Sequence, residues 1–368
     1  MKKFLITGLF LTAISLMAHG QPTEAGKEKS SDQTKQLSPS KQLDLELEKH
    51  TGKSEPGVAV MVIKDSEVKY RNFRGVADLD SNTPITADTP FYIASIGKQF
   101  TAVSIMTLAE RSQLSYDDKL VKYFPEFASF AGGITIRHIL THTSGLIDHL
   151  GIVKDNVTGW TNEDVVKLLQ KENRVIFQPG EKVSYSNSGY VLLSMIVEKI
   201  SGESFAAFLK KNFFGPLKMA HTYVAVRGAR VPDRVRGYTQ TEGKWVTANY
   251  DAFTTGSGAI YSTLDDLEKW DRSFYTERLI KASTLKLAST ANKLNNGRET
   301  EWGFGWLAEF AAKGDLANVW YVASIGDFKG FKGILKRIPE RRFTVIALSN
   351  NGKLPWGFVE LAHDIYAK

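Results

Sequence analysis

A serine and a lysine stand three residues apart where an apolar strand is predicted to run into a helix. The segment FYIASIGKQFTA, residues 91–102, contains Ser95 and Lys98. If a helix begins at Ser95, the rotation of about 100° and rise of about 1.5 Å per residue place Lys98 one turn further on, on nearly the same face. A desolvated lysine can lose its proton and then accept one from a neighbouring hydroxyl. The pair therefore predicts an activated serine nucleophile.

The position of this pair distinguishes it from the other matches to the same pattern. Ser-x-x-Lys occurs four times in the chain, and the other three matches lie in polar, turn or surface-type segments. A solvated serine and lysine are the plain interpretation there. At Ser95 the start of a helix adds the positive end of the helix dipole, which favours an oxyanion forming beside the serine.

A second polar stretch could bring a phenol and an amide to the same site. The segment QPGEKVSYSNSGY, residues 178–190, turns at Pro179-Gly180 and then presents Tyr185 and Asn187 before an apolar helix. The pKa of a free tyrosine, about 10, makes it a poor base at neutral pH. A nearby ammonium would stabilise its phenolate, so we expect Tyr185 beside Lys98 to act as a proton shuttle. Asn187 is expected to hold a substrate carbonyl.

Composition limits the classes of protein that this chain can be. Its 368 residues, 42% of them hydrophobic, suffice for a large core. The formal charge of +7 comes without a basic block interleaved with aromatics, so we expect no nucleic acid partner. The absence of cysteine excludes disulfides, a thiol nucleophile and a lipid on an N-terminal cysteine.

The N-terminus has the layout of a secretory signal. Lysines precede an apolar run from Phe4 to Ala18, followed by a small-x-small cleavage site, so residues 1–20 are predicted to be a signal peptide. An uncleaved anchor is the alternative. Residues 21–41 are polar and lack periodicity, which is typical of a flexible linker. The mature chain is expected to be secreted or periplasmic, without a stable membrane span.

The rest of the chain predicts strands at both ends and helices between them. We expect a hairpin of Gly57 to Ile63 with Glu67 to Phe73, and helices including Thr135 to Leu146. The C-terminal part predicts four strands and a helix: Trp302 to Phe310, Val319 to Ser324, Phe331 to Ile338, Phe343 to Ser349 and, as the helix, Trp356 to Tyr366. Short links imply antiparallel pairing. The prediction is an α/β (α+β) domain over residues 42–368, with an antiparallel sheet flanked by helices and a mostly helical insertion at about 112–238.

Other catalytic arrangements are not favoured by the sequence. His138 and His142 are four residues apart and His149 follows, but no His-Glu-x-x-His motif is present. No Gly-x-Ser-x-Gly elbow occurs either, which argues against a Ser-His-Asp triad on an α/β-hydrolase fold. We expect no metal and no cofactor.

Five segments together resemble one family of enzymes. FYIASIGKQFTA, LTHTSGL, QPGEKVSYSNSGYVLLSMIVEKISG, FFGPLKMAHT and GAIYSTLDDLEKW, in this order, are similar to motifs of the serine β-lactamase and penicillin-binding protein (DD-peptidase) family, on its class C-like branch. The resemblance covers roughly Leu43 to Lys368 and implies a β-lactamase/transpeptidase-like fold. It also implies that Ser95 is the nucleophile, that Lys98 and Tyr185 exchange protons, and that Asn187 contacts the acyl side of the substrate.

The family's third motif is altered in this chain. Alignment on Gly330-Phe331 places it at Ser324-Ile325-Gly326, where serine replaces the usual cation. The resemblance implies an oxyanion hole formed by the backbone N–H groups of Ser95 and Asp327, so Ser324, Gly326 and Asp327 are expected to line the substrate site. The missing cation would remove a charge that attracts a substrate carboxylate.

These observations predict a secreted serine hydrolase that forms an acyl-enzyme on Ser95. Its expected substrates are small molecules or peptidoglycan-derived peptides: D-amino-acid peptides, amides or esters, with β-lactams as a further class. The alternative is a catalytically weak protein that binds penicillin or cell-wall peptide without efficient turnover. A third interpretation is an interaction or tethering module.

Overall fold

The computed structural model describes residues 37–153, 159–228, 235–248, 253–310 and 320–367. The predicted signal peptide 1–20 and most of the predicted linker 21–41 lie outside these residues, and the domain division stays a prediction. The first described helix, Pro39–His50, begins inside the segment predicted as linker.

Both ends of the domain contribute to one antiparallel sheet. The six strands are β1 Val58–Lys64, β2 Glu67–Arg74, β10 Leu307–Phe310, β11 Trp320–Phe328, β12 Phe331–Ile338 and β13 Phe343–Ser349. They occur in the order β10-β11-β12-β13-β1-β2, and every neighbouring pair is antiparallel. The N-terminal hairpin and the C-terminal strands therefore meet between β1 and β13.

Strand β1 is apolar from Val58 to Ile63 because both faces of the sheet are covered there. Val60 belongs to the hydrophobic cluster that contains Phe358, whereas its neighbour Met61 belongs to the larger cluster that contains Phe100. Successive side chains of a strand point to opposite faces. Burial on both faces explains why β1 reads as a continuous apolar run instead of an alternating one.

Short strands form smaller sheets beside the large one. They are β3 Val76–Asp78, β4 Thr83–Pro84, β5 Phe91–Tyr92, β6 Tyr223–Val224, β7 Tyr238–Thr241, β8 Lys244–Thr247 and β9 Ile260–Ser262. Strand β9 pairs with both β5 and β6. Since β5 leads directly to Ser95, this small sheet fixes the position of the backbone just before the serine.

Helices cover the sheet, and most of them lie between β5 and β10. They are α1 Pro39–His50, α2 Lys98–Glu110, α3 Ala128–Ala131, α4 Ile136–Leu140, α5 Asn162–Glu172, α6 Asn187–Ser201, α7 Phe205–Leu209, α8 Leu264–Ser273, α9 Ala282–Ala288 and α10 Trp356–Tyr366. None of the helices in the described part of the chain combines the length and apolarity that crossing a bilayer demands.

The predicted fold class is confirmed, and several elements have the predicted bounds. Strands β12 and β13 and helix α10 begin and end where the sequence places them. The strand predicted from Trp302 begins only at Leu307, because Trp302 makes just an isolated bridge back to Leu307.

The helix predicted over Thr135 to Leu146 is shorter than expected. Helix α4 ends at Leu140, and His142 has a φ of 55°. A left-handed residue cannot continue a right-handed helix, so the chain turns at His142. This turn aims the following loop at the site.

Candidate active site

Ser95 lies on a single 3-10 turn, Ala94–Gly97, between β5 and α2. Ala94 has a φ of 47°, a left-handed conformation that is strained for a residue with a side chain. The backbone N–H of Ile93 donates to the Ile260 carbonyl of β9 at 3.0 Å, which anchors the start of the turn. Ser95 itself is partly exposed. The turn thus leaves Ser95 partly exposed while the residues around it are buried.

Lys98, the first residue of α2, is buried beneath Ser95. Its side chain is 2% exposed, and its Nζ lies 3.1 Å from Ser95 Oγ. The same Nζ donates to Asn187 Oδ1 and to the Ser257 carbonyl, both at 2.8 Å. Burial lowers the pKa of Lys98 to about 7, and the charge of Asp148 partly opposes this shift. The structure therefore brings the predicted serine and lysine together.

The contacts of Lys98 assign a direction to its lone pair. A neutral amine has two N–H donors and one acceptor site. The oxygens of Asn187 and Ser257 can only accept in these contacts, so they take the two N–H groups. The remaining lone pair is left for the Ser95 hydroxyl. In its neutral form Lys98 is thus oriented as a base toward Ser95.

Tyr185 is held in place by the loop that begins at His142. The N–H groups of Ser184 and Ser186 donate to the carbonyl and to Nδ1 of His142, at 2.8 and 3.2 Å. The His142 ring stacks on Tyr185 with centroids 4.3 Å apart, and Trp302 contacts both rings. Tyr185 hydrogen-bonds the Ser95 hydroxyl. The predicted phenol is therefore at the nucleophile.

The charge state expected for Tyr185 is not the one that the structure favours. Burial raises the pKa of Tyr185, so the phenol stays protonated at neutral pH. Lys98 Nζ lies over the face of the Tyr185 ring, 4.8 Å from its centroid, and burial lowers the pKa of Lys98 to about 7, so its charge is only partial near neutral pH. It therefore gives the phenolate little support. Of the two groups beside Ser95, Tyr185 is therefore a protonated phenol, and Lys98 is the one oriented to accept a proton.

Asn187 links Lys98 to a carboxylate that the sequence analysis did not identify. It is the first residue of α6, and its Nδ2 donates to Asp148 Oδ2 at 3.0 Å while its Oδ1 accepts from Lys98. Its backbone N–H also donates to Asp148 Oδ1 at 3.2 Å. Asp148 closely follows the segment LTHTSGL. Its closeness to this motif was the only feature of the sequence that could have indicated a place for it at the site. The contribution of Ser257 had no sequence signal because its backbone carbonyl, not its side chain, contacts Lys98.

The predicted third motif lies on β11 against the turn that carries Ser95. A Cβ on Gly326 would come within 2.4 Å of the Ile93 carbonyl, so only glycine allows β11 this close. Ser324 is buried, and its hydroxyl donates to the Gly305 carbonyl at 3.3 Å. Asp327 is exposed and pairs with Lys332 on the adjacent strand. At this edge of the site the usual cation is replaced by a hydroxyl that is already bonded to backbone.

The histidines near the site are held neutral. Burial lowers the pKa of His142 well below its ordinary value and that of His149 to about 4. His149 packs on the first turn of α6, where Ser188 Oγ accepts from its backbone N–H at 2.8 Å. Within the described ranges, no three histidine, aspartate or glutamate side chains are grouped in a way that could hold a metal.

A mixed α/β domain that brings a partly exposed serine next to a buried lysine and a tyrosine, beside strand β11 of its sheet, defines a class of protein in which a lysine can activate a serine. Comparison with known proteins gives the family. The Beta-lactamase family model matches residues 44–366, and the chain belongs to this family.

The chain matches only part of the length of its curated relatives. The chain is 32% identical over 311 residues to Penicillin-binding protein 4* of Bacillus subtilis, covering 79% of this chain and 67% of that protein. It is 25% identical to Protein flp of Staphylococcus aureus, covering 80% of this chain and 59% of that protein.

Solved structures give the same fold. An octameric penicillin-binding protein homologue from Pyrococcus abyssi has a TM-score of 0.74 at 26% identity, covering 88% of this chain and 75% of that chain. A D-amino acid amidase from Ochrobactrum anthropi, complexed with D-phenylalanine, has a TM-score of 0.72 at 22% identity, covering 88% and 97%. The second likeness shows the fold alone.

Proposed function

We propose that this protein is a serine hydrolase that acts through an acyl-enzyme on Ser95, with D-amino-acid peptides, amides or esters as substrates. The observation that carries the proposal is a buried Lys98, with its pKa lowered to about 7, whose Nζ lies 3.1 Å from Ser95 Oγ. An amine with this pKa is substantially unprotonated near neutral pH, which is what a general base requires. Family membership supports the same reading.

Acylation begins with transfer of the Ser95 proton to Lys98. The Ser95 oxygen then attacks the substrate carbonyl carbon, and the electron pair of the C=O bond moves to oxygen. Backbone N–H groups of Ser95 and Asp327 are the proposed donors to this oxyanion. As the tetrahedral intermediate collapses, Tyr185 gives its proton to the departing nitrogen or oxygen, and Lys98 restores the proton of Tyr185.

Deacylation repeats these steps with water in place of Ser95. Lys98 is neutral again after acylation, and it removes a proton from a water molecule that attacks the ester carbonyl. Collapse of the second intermediate breaks the bond to Ser95 Oγ, which regains its proton. The proposed position of Asn187, between Lys98 and the acyl side of the substrate, fits its contacts with Lys98 and Asp148.

The substrate preference follows from the third motif. A charge-assisted contact to a substrate carboxylate contributes about 1.5–3 kcal/mol, and Ser324 cannot supply it. The charge of Lys332 is already engaged by Asp327. We therefore place uncharged esters and amides ahead of β-lactams, whose carboxylate would lack a partner at Ser324.

Covalent labelling tests the nucleophile. The purified chain is treated with a fluorophosphonate or a fluorescent penicillin, and the adduct is located by intact mass and peptide mapping. We expect labelling at Ser95 by at least one probe, and loss of labelling in Ser95→Ala. A matched control is Ser283→Ala, which removes the serine of another Ser-x-x-Lys pattern, on the exposed part of α9. Labelling that survives Ser95→Ala would contradict the proposal.

Turnover separates the enzyme from a binding protein. Rates on nitrocefin, a D-Ala-D-Ala peptide and a short-chain p-nitrophenyl ester are compared side by side. Ester or peptide hydrolysis that exceeds nitrocefin hydrolysis is expected. A stable penicillin adduct without turnover of any substrate would instead favour the second candidate function, a protein that binds penicillin or cell-wall peptide, for which the substituted cation at Ser324 is the specific observation.

Export is proposed on the sequence of residues 1–20. The mature chain would then act outside the cytoplasm on material derived from the cell wall. N-terminal analysis of the protein recovered from culture medium or periplasm tests this, and a full-length chain that starts at Met1 in the cytoplasm would contradict it.

A further inference from the structure

We propose that Asp148 is a positioning residue that sets both the orientation of Asn187 and the protonation of Lys98. The inference rests on the proposed function, because it concerns the same serine and lysine. Nothing in the family comparison assigns a role to this carboxylate.

The contacts of Asp148 fix Asn187 in a single orientation. One carboxylate oxygen accepts from the backbone N–H of Asn187 at 3.2 Å, and the other accepts from its Nδ2 at 3.0 Å. Binding the amide nitrogen turns the opposite end, Oδ1, toward Lys98 at 2.8 Å. Without the carboxylate, the Asn187 amide could rotate and present its NH₂ group to Lys98, where it would meet the amine donors.

Asp148 docks on the first turn of α6. Its carboxylate lies at the N-terminus of this helix, where the backbone N–H of Asn187 and the positive end of the helix dipole face it. The Asp148 side chain is 29% exposed. The following residue, His149, is bound to Ser188 through its backbone N–H, which docks the loop a second time on α6.

Asp148 supplies the charge that opposes the discharge of Lys98. The other titratable groups around Lys98 are uncharged at neutral pH, because burial lowers the pKa values of the two histidines and raises those of the two tyrosines. These groups are His142, His149, Tyr185 and Tyr190. The Asp148 carboxylate raises the pKa of Lys98 against the larger effect of burial. It thereby helps Lys98 to hold the proton that it later returns to Tyr185.

If Asp148 both orients Asn187 and raises the pKa of Lys98, its replacement should change the rate and the pH profile together, which a mere loss of packing would not do. In Asp148→Asn, acylation of Ser95 should slow by about 10- to 100-fold, because Asn187 is no longer oriented. The effect should fall on kcat more than on KM. The acidic limb of the pH–rate profile should also move to lower pH by at least about half a unit, because Lys98 loses a nearby negative charge. Asp148→Glu should restore part of the rate and move the limb back.

The experiment measures pH profiles of ester hydrolysis and the acylation rate by intact mass for each variant. Asp164→Asn is the matched control, since Asp164 also caps a helix, bonding the N–H and hydroxyl of Thr161 at the start of α5. We expect its profile to match the parent chain. A slower Asp148→Asn with an unmoved limb would overturn the proposal, as would unchanged acylation.

Two further outcomes are distinguishable. If Asp148→Asn affected only substrates with a free ammonium group and left N-acylated esters unchanged, Asp148 would be a substrate-binding residue and the positioning role would be wrong. If the parent chain were not acylated at Ser95 at all, the proposed function would fail. Thermal unfolding of each variant confirms that the compared chains are folded.

Discussion

Among the residues that the structure describes, a lysine and an arginine are buried, and they are held in opposite ways. Arg337 of β12 is 3% exposed, and its Nε lies 2.7 Å from Asp271 Oδ1 of α8. Lys98 is equally buried but touches only uncharged oxygens, and it reaches its nearest carboxylate through Asn187. Both cations lie over aromatic rings, Arg337 over Phe274 at 4.7 Å.

The difference shows how similar burial in one fold gives a fixed charge at Arg337 and a lowered pKa at Lys98. A guanidinium cannot lose its proton in a protein, and a direct carboxylate balances its charge. A buried ammonium without a direct carboxylate partner is destabilised by desolvation, so its pKa falls and it loses its proton more easily. The Arg337 pair therefore joins α8 to the sheet, whereas Lys98 becomes available for proton transfer.

The largest expected effect is on activity and comes from Lys98→Met. Loss of the base should reduce Ser95 acylation by at least about 10³-fold. At about pH 7 the free energy of unfolding should change by less than about 2 kcal/mol, because two effects offset each other. The variant no longer buries an amine, which stabilises it, but the oxygens of Asn187 and Ser257 lose their hydrogen-bond donor. Acylation kinetics and urea unfolding measure both quantities. Lys286→Met, on the exposed part of α9, is the matched control.

The stability of the parent chain relative to Lys98→Met should depend on pH. The pKa of Lys98 is about 7 in the folded state, below its unfolded value of about 10.5. Between these values the unfolded state binds more protons, so the parent chain should gain stability as pH rises through this window. If Lys98→Met lost as much free energy of unfolding as is expected below for Arg337→Met, the two buried cations would not differ in how they are held.

A large effect on stability is expected from Arg337→Met. Removing the guanidinium leaves the buried Asp271 carboxylate without its ion partner, which should destabilise the fold by about 3–5 kcal/mol. The double variant Arg337→Met with Asp271→Leu should recover most of this loss. Catalytic rates per folded molecule should stay within about twofold. Failure of the double variant to recover stability would mean that shape, and not charge, dominates at this site.

A smaller effect is expected from adding a cation to the substrate site. Ser324→Lys should improve turnover of carboxylate-bearing substrates such as nitrocefin by about 10- to 100-fold relative to the p-nitrophenyl ester. It should also lower the pKa of Lys98 further, since like charges repel. Ser324→Met controls for length without charge. Equal gains in the lysine and methionine variants would assign the effect to packing.

The sequence predicted those parts of the site that depend on local patterns. Ser95 and Lys98 were identified because an apolar strand runs into a helix start, and β12 and β13 because turn residues bound their apolar runs. Tyr185 was placed correctly, but its protonation depends on burial, which requires the whole fold. Asp148 and Ser257 meet Asn187 and Lys98 across long sequence separations, so no periodicity could reveal them.

Gly326 makes the competence of Ser95 depend on the end of the chain. Strand β11 fits beneath the Ile93 carbonyl only through this glycine, and β11 is joined through β12 and β13 to β1. A chain whose synthesis has stopped before these strands lacks the strand that packs against the turn carrying Ser95, and with it one proposed oxyanion donor. We therefore expect an incomplete chain to be catalytically silent, so that hydrolysis starts only when the last strands have closed the sheet.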